Sequence, residues 1–166
     1  TGESAGPPLN VGVGIADLMC GMYAAVAVLA ALRHRDATGQ GQYIDLALYD
    51  TQLAWLANAA LDYFVTGRPP ARHGNAHAQI VPYDVFPTAD GHIQLSVGND
   101  VQFARLTQVL GVPEWASDPR FADNPARVAS RAELTRELTT HFRTRPSASW
   151  LTQLRAAGVP CGPVRT

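Results

Sequence analysis

The chain has 166 residues, 46% of them apolar and 16% charged, and 13 basic against 14 acidic residues leave a net charge of −1. A chain so rich in core-forming residues is not a disordered one, and the even charge balance carries neither a basic footprint for nucleic acid nor an acidic tail for a charged partner. All 13 basic residues are Arg, which excludes lysine Schiff-base chemistry and the phosphate-loop lysine within this segment.

Residues 1–13 are rich in Gly, Pro and Ser and read as a loop. A helix is predicted from Gly14 to about Arg35. It is apolar nearly all round, so it is expected to be buried on most sides. Its most apolar run, residues 18–32, falls short of the roughly 20 residues that a bilayer requires, so no membrane span is expected. Arg33, His34 and Arg35 close the helix where positive charge suits its dipole. Thr38-Gly39-Gln40-Gly41-Gln42 is a turn. Residues 43–48 alternate as a strand does, with Ile44, Leu46 and Leu48 on one face. A second helix is predicted over residues 50–65. Helix, strand, helix is part of a layered α/β domain.

The composition changes at Gly67. Residues 67–82 lack periodicity and read as a linker or functional loop. A hairpin is predicted from residues 83–88 and 92–97, turning at Ala89-Asp90-Gly91. Helices follow over residues 100–110 and 125–142, the latter with Leu134, Leu138 and Phe142 at four-residue spacing. A last helix opens near Pro146 and stops at Gly158, and residues 159–164 leave as an extended segment. Cys20 and Cys161 fit no disulfide framework and no metal spacing. They read as inert thiols of a reducing compartment, which places the protein in the cytoplasm.

Few residues are placed for chemistry. Asp17 stands in the first turn of a buried-type helix, behind Gly12 and Gly14. There it meets free N–H groups and the positive helix end, and the glycines allow a ligand to come close. Two readings follow: a residue that stabilises its own helix start, or an ionised carboxylate beside a ligand that the glycines let approach. His73 and His77 are four apart but sit in a Gly/Pro loop with no further ligand at metal spacing, so no metal site is expected. Arg68 and Arg72 are either solvated or available to a substrate carboxylate.

The run Ile15-Ala16-Asp17-Leu18-Met19-Cys20-Gly21-Met22-Tyr23, the Ala-rich helix after it and Thr38-Gly39-Gln40-Gly41-Gln42 resemble the family III CoA-transferases of the CaiB/BaiF type. Further matches follow in order: Arg72-His73-Gly74-Asn75-Ala76-His77, Ile80-Val81-Pro82-Tyr83, Phe86-Pro87-Thr88-Ala89-Asp90-Gly91, Val97-Gly98-Asn99-Asp100 with Gln102-Phe103, and Ala157-Gly158-Val159-Pro160-Cys161-Gly162-Pro163-Val164. Each motif is weak alone, but their order and spacing are specific.

The resemblance implies a Rossmann-like large domain with a smaller α+β domain inserted, in two interlocked chains that form a homodimer. Residues 1–66 would then end the first large-domain segment, 67–82 be the linker, 83–145 the small domain, and 146–166 the last helix and return linker. The start at Thr1 and the end at Thr166 fit a segment of a longer chain. Asp17 matches the family's catalytic aspartate, which carries coenzyme A as an aspartyl thioester between an acyl-CoA donor and a carboxylic acid. Acyl-CoA is then a substrate, and no permanently bound cofactor is implied. Gly74, Asn75 and His77 lie where relatives carry a Gly-rich loop over the active site, but here the glycine run is missing.

Two other readings stay open. A 2-methylacyl-CoA racemase of the same family would use the aspartate as an acid/base, although Asp100-Val101 and the residues around His73 look more like dicarboxylate-using transferases. A non-catalytic CoA-binding scaffold is the other.

Overall fold

The computed structural model describes residues 1–165, which form two compact units, Thr1–Arg72 and the chain from His73 onward. The divide falls inside the stretch 67–82.

In the first unit, α1 (Ile15–Thr38) is followed by α2 (Leu48–Ala54) and α3 (Ala57–Thr66). Helix α1 runs three residues past the predicted end because its terminator is Gly39, whose φ of +74° forms a left-handed cap with its N–H on the Arg35 carbonyl. α2 packs against α1. The second predicted helix is broken in two. Trp55 and Leu56 N–H groups reach back to Gln52 and Leu53 in tight three-residue turns, and Ala57 takes φ +38°.

Two expectations are corrected here. Residues 43–48 form no strand, and helix α2 starts at Leu48. Alternation specifies the two faces of a strand, but a strand needs a neighbour for its N–H and C=O groups, and no other strand lies in this unit. Nor is α1 buried: none of its residues is, and Leu18, Met22, Val26 and Leu29 make an exposed apolar stripe. A helix apolar on every side needs partners on every side, and within this unit α2 supplies one. α1 is 24 residues long and its most apolar 18-residue stretch has a mean hydropathy of 2.0, so by length and composition it is long and apolar enough to cross a membrane, contrary to the shorter estimate from residues 18–32.

The second unit is built on a three-stranded antiparallel sheet. β1 (Tyr83–Pro87) and β2 (His92–Ser96) make the predicted hairpin, with Phe86 opposite Ile93, and β3 (Cys161–Pro163) adds on the other side of β2, with Cys161 opposite Leu95. Helices α4 (Asp100–Leu110), α5 (Asn124–Ala129), α6 (Arg131–Phe142) and α7 (Ser147–Ala156) accompany it. The predicted helix over 125–142 is divided at Ser130, whose φ of −99° and ψ of 19° leave the helical range. Its four-residue spacing still holds in α6, where Leu134, Leu138 and Phe142 are fully buried. They meet Phe86, Ile93, Leu95, Phe103, Leu106, Trp150 and Leu154 in one core. Phe142 packs at 5.3 Å from both Phe86 and Trp150, and Trp150 Nε1–H donates to the Phe142 carbonyl at 2.8 Å.

The hairpin turn also starts a helix. α7 has no side-chain cap of its own behind Pro146. Asp90 supplies one from the turn, accepting from the Ser147 N–H at 2.7 Å, while Thr88 and Ser147 hydroxyls meet at 2.7 Å. The Ser147 N–H, then the other bonds to Ser147 and Thr88, hold the Asp90 carboxyl below its ordinary value of 3.8. A carboxylate whose pKa is lower in the folded state stabilises the fold above its unfolded pKa and loses that effect as pH falls through the folded value. Asp90→Ala in the full-length protein is therefore expected to lower the melting temperature by a few degrees near neutral pH. The gap should close in strong acid, and thermal melts against pH read it directly.

Candidate functional site

Asp17 is the third residue of α1. The N-cap is Gly14, which offers no capping side chain. The carboxylate folds back over that glycine: a Cβ on Gly14 would lie 2.9 Å from Asp17 Oδ2. Gly14 thus leaves open the space into which the acid turns. Asp17 is exposed, and among the described residues it makes no ion pair and no side-chain hydrogen bond. Its own N–H and that of Ala16 meet no backbone carbonyl outside the helix, whereas Ile15 N–H bonds Val13 and Leu18 N–H bonds Gly14. The helix start therefore presents a carboxylate beside two undirected N–H donors, an arrangement suited to a reacting acyl group and the oxyanion it develops.

An apolar groove lined by Met19, Met22, Tyr23, Val26 and Trp55 also lies in this unit. It is not Asp17's site. At about 100° per residue, Val26 is half a turn around α1 from Asp17, so groove and carboxylate occupy opposite faces. Arg72, a candidate for a substrate carboxylate, is engaged elsewhere: it donates to the carbonyls of Glu3 and Gly6, the latter at 2.6 Å. Arg68 is exposed.

In the second unit, the other candidate residues divide by role. Gly74, with φ +61°, and Asn75 form an exposed turn that Ala76 N–H closes onto the His73 carbonyl at 3.0 Å. His77 is half-buried and fixed. Its N–H donates to the Tyr83 carbonyl at 2.9 Å, its ring stacks on Tyr83 at 5.3 Å, and its Nδ1 accepts from Gln79 N–H at 3.1 Å.

What holds this segment was not visible in the sequence. Three side chains spaced along α5 and the start of α6 grip it by its backbone. Asn124 donates to the Gln79 carbonyl at 2.8 Å and accepts from Val81 N–H at 3.1 Å. Arg127, fully buried, donates to the carbonyls of Val81 at 2.8 Å and Phe121 at 2.9 Å and to Asp100 Oδ1 at 2.6 Å, with its guanidinium over the Phe103 ring at 4.5 Å. Arg131 donates to the carbonyls of His77 at 3.0 Å and Ala78 at 2.6 Å. Burial pulls the Arg131 guanidinium down from its ordinary value, with Asp84 opposing. The spacing 124, 127, 131 is that of a helix in the sequence, although Asn124 and Arg127 stand on α5 and Arg131 opens α6 beyond the break at Ser130; backbone acceptors leave no sequence signature of their own.

Among the described residues no three His, Cys, Asp or Glu side chains are grouped to hold a metal ion. Burial raises the Cys161 thiol, Arg155 opposing, which makes it a poorer nucleophile.

The model of CoA-transferase family III matches residues 1–166. The succinate–glutarate CoA-transferase of Agrobacterium fabrum is 46% identical over 166 residues, which cover 100% of this chain and 42% of that protein. The acetyl-CoA:oxalate CoA-transferase of Acetobacter aceti is 39% identical over 165 residues, 99% of this chain and 42% of that one. A crystal structure of a CaiB/BaiF family protein from Brucella suis superimposes with a TM-score of 0.80 at 43% identity, covering 100% of this chain and 44% of its own. The chain thus spans about two fifths of the length of these relatives.

Proposed function

The chain belongs to CoA-transferase family III, and from that membership we propose that the whole protein moves coenzyme A from an acyl-CoA donor to a dicarboxylic acid, with Asp17 as the group that carries it. The observation that carries the reading is the exposed Asp17 carboxylate turned over Gly14 at the start of α1. The names of the relatives support the substrate class, since succinate, glutarate and oxalate are all dicarboxylates.

An Asp17 oxygen attacks the donor's thioester carbonyl and expels the CoA thiolate, leaving a mixed anhydride. The thiolate attacks the aspartyl carbon of that anhydride, forms an aspartyl-CoA thioester and releases the donor's acid. A carboxylate oxygen of the acceptor then attacks the aspartyl thioester carbonyl, giving a second anhydride and free thiolate. The thiolate attacks the acceptor's acyl carbon, and Asp17 returns as a carboxylate. Anhydride and thioester lie close in energy to the substrate thioester, so the exchange is divided into small steps. The N–H groups of Ala16 and Asp17 are the donors suited to each oxyanion.

In this reading the apolar faces of α1 pack inside the larger protein, whose large domain is Rossmann-like. The chains pair as an interlocked cytoplasmic homodimer. Incubating the full-length protein with succinyl-CoA and trapping with hydroxylamine is expected to leave a hydroxamate on the peptide containing Asp17, read by mass. Exchange of the substrate's α-proton for solvent deuterium with no adduct would instead support the racemase reading.

A further inference from the structure

Among the described residues Asp17 has no side-chain partner, so the backbone alone sets where its carboxylate stands. Local means fix that backbone weakly. The N-cap Gly14 brings no capping side chain, Asp17 lies in the first turn, and Gly12 and Gly14 just ahead of it add conformational freedom. Uncapped helix ends fray. Residues 10–12 are exposed, and the first anchored stretch upstream of α1 is a closed loop over residues 1–9. Leu9 N–H donates to the Thr1 carbonyl at 3.1 Å, the Thr1 hydroxyl donates to the Leu9 carbonyl, and Gly6 N–H donates to the Glu3 carbonyl at 3.1 Å. Gly2 permits the closure. Its φ is +117°, and a Cβ there would stand 2.7 Å from the Pro7 carbonyl oxygen and 3.3 Å from the Leu9 nitrogen.

One cation ties that loop to the rest of the first unit. Arg72 donates through Nη2 to the Gly6 carbonyl at 2.6 Å and through Nε to the Glu3 carbonyl at 3.3 Å, and its Cδ would lie 3.5 Å from a Cβ on Gly2. Among the described residues no other hydrogen bond joins residues 1–9 to the remainder of the unit. A planar guanidinium spans two carbonyls at once, which a single ammonium does not reproduce. Resting on the transferase reading above, we infer that Arg72 is a positioning residue for Asp17: by clasping residues 1–9 it holds the chain ahead of α1, limits fraying of the first turn and keeps the carboxylate aligned on the thioester carbonyl. A misplacement of about 1 Å at a reacting group costs on the order of 10²-fold in rate. Substrate binding does not run through this clasp, so its loss falls on kcat and leaves KM in place.

The test uses the full-length protein with succinyl-CoA as donor and glutarate as acceptor. Arg72→Met removes the donors and keeps an aliphatic stem. Arg72→Lys keeps one donor for the Gly6 carbonyl. Gly2→Ala opens the same loop without touching Arg72. The expected result is a kcat about tenfold lower in Arg72→Met and in Gly2→Ala, both KM values within about twofold of wild type, and partial recovery in Arg72→Lys. The double variant should lose no more than about what either single variant loses, because both act through one loop. Hydrogen exchange at the Ile15 and Leu18 amides, which bond the Val13 and Gly14 carbonyls, should quicken in both, reading the fraying directly. A raised KM with kcat unchanged would place Arg72 on a substrate carboxylate and overturn the inference. A kcat within about twofold of wild type in Gly2→Ala, or additive losses in the double variant, would overturn it too. These outcomes leave the transferase reading standing. If Arg72→Met does not fold, Gly2→Ala decides alone. Wild-type protein that transfers no CoA overturns the transferase reading, and this inference with it.

Discussion

Asp17→Ala in the full-length protein is expected to reduce CoA exchange by about three orders of magnitude or more, with the melting temperature close to wild type. The first half follows from the mechanism: without the carboxylate there is neither anhydride nor aspartyl thioester, and the acyl group has no carrier. The second half follows from the geometry. The side chain is exposed and makes no ion pair or side-chain hydrogen bond among the described residues, so its removal leaves no cavity and no orphaned partner. Asp17→Asn keeps the shape and is expected to fail equally, because an amide does not replace the carboxylate as nucleophile. Steady-state transfer, measured beside a thermal melt, checks both halves. Turnover near the wild-type rate in either variant would sink the aspartyl mechanism.

The second large effect is on stability. Arg127→Met is expected to destabilise the fold by about 3 kcal/mol or more. The methionine fills much of the same space, so the loss isolates the donors. Two carbonyls, of Val81 and Phe121, would lose their bonds to the buried guanidinium, and the cation over Phe103 would be gone. Asp100 contributes less, since its side chain is 60% exposed and water replaces the lost partner there. Arg127→Lys should recover little, because one ammonium cannot reproduce a planar fork that reaches a carboxylate and two carbonyls in different directions. Denaturant melts of the full-length variants provide the measurement. A methionine variant as stable as wild type would show that this buried cation is dispensable. Because Arg127 holds Val81 while Asn124 and Arg131 hold residues 77–79, hydrogen exchange at those amides is the local readout of the same loss.

The helices and hairpin of the second unit were readable from periodicity. The four-residue spacing of Leu134, Leu138 and Phe142, and the alternation of Ile93, Leu95 and Val97, record which face is buried, and all six side chains are. The end of α4 was readable at Leu110, just before Gly111 with its positive φ, whereas α1 was expected to end at Arg35 and continues to its glycine cap at Gly39. The breaks at Trp55-Leu56 and at Ser130 were not, because apolar periodicity continues across a bend of one or two residues. The strand expected over residues 43–48 failed for a different reason: pairing is non-local, and alternation names no partner.

Asp17 was visible as a candidate because the site is local: a carboxylate in a first turn behind glycines, where helix ends leave N–H groups unsatisfied. The sequence by itself thus determined the candidate nucleophile, the family pattern, the absence of lysine chemistry in this segment and the core face of most second-unit elements. Each of these is a property of residue type or of spacing along the chain. Only the tertiary structure decided that Arg127 is a buried anchor, that Asp90 caps α7 from a hairpin 57 residues earlier, that Arg72 is tied to Glu3 and Gly6, and that His77 is stacked on Tyr83 and held by Arg131. In each case the deciding partner is distant along the chain or is backbone, and neither leaves a mark in local sequence.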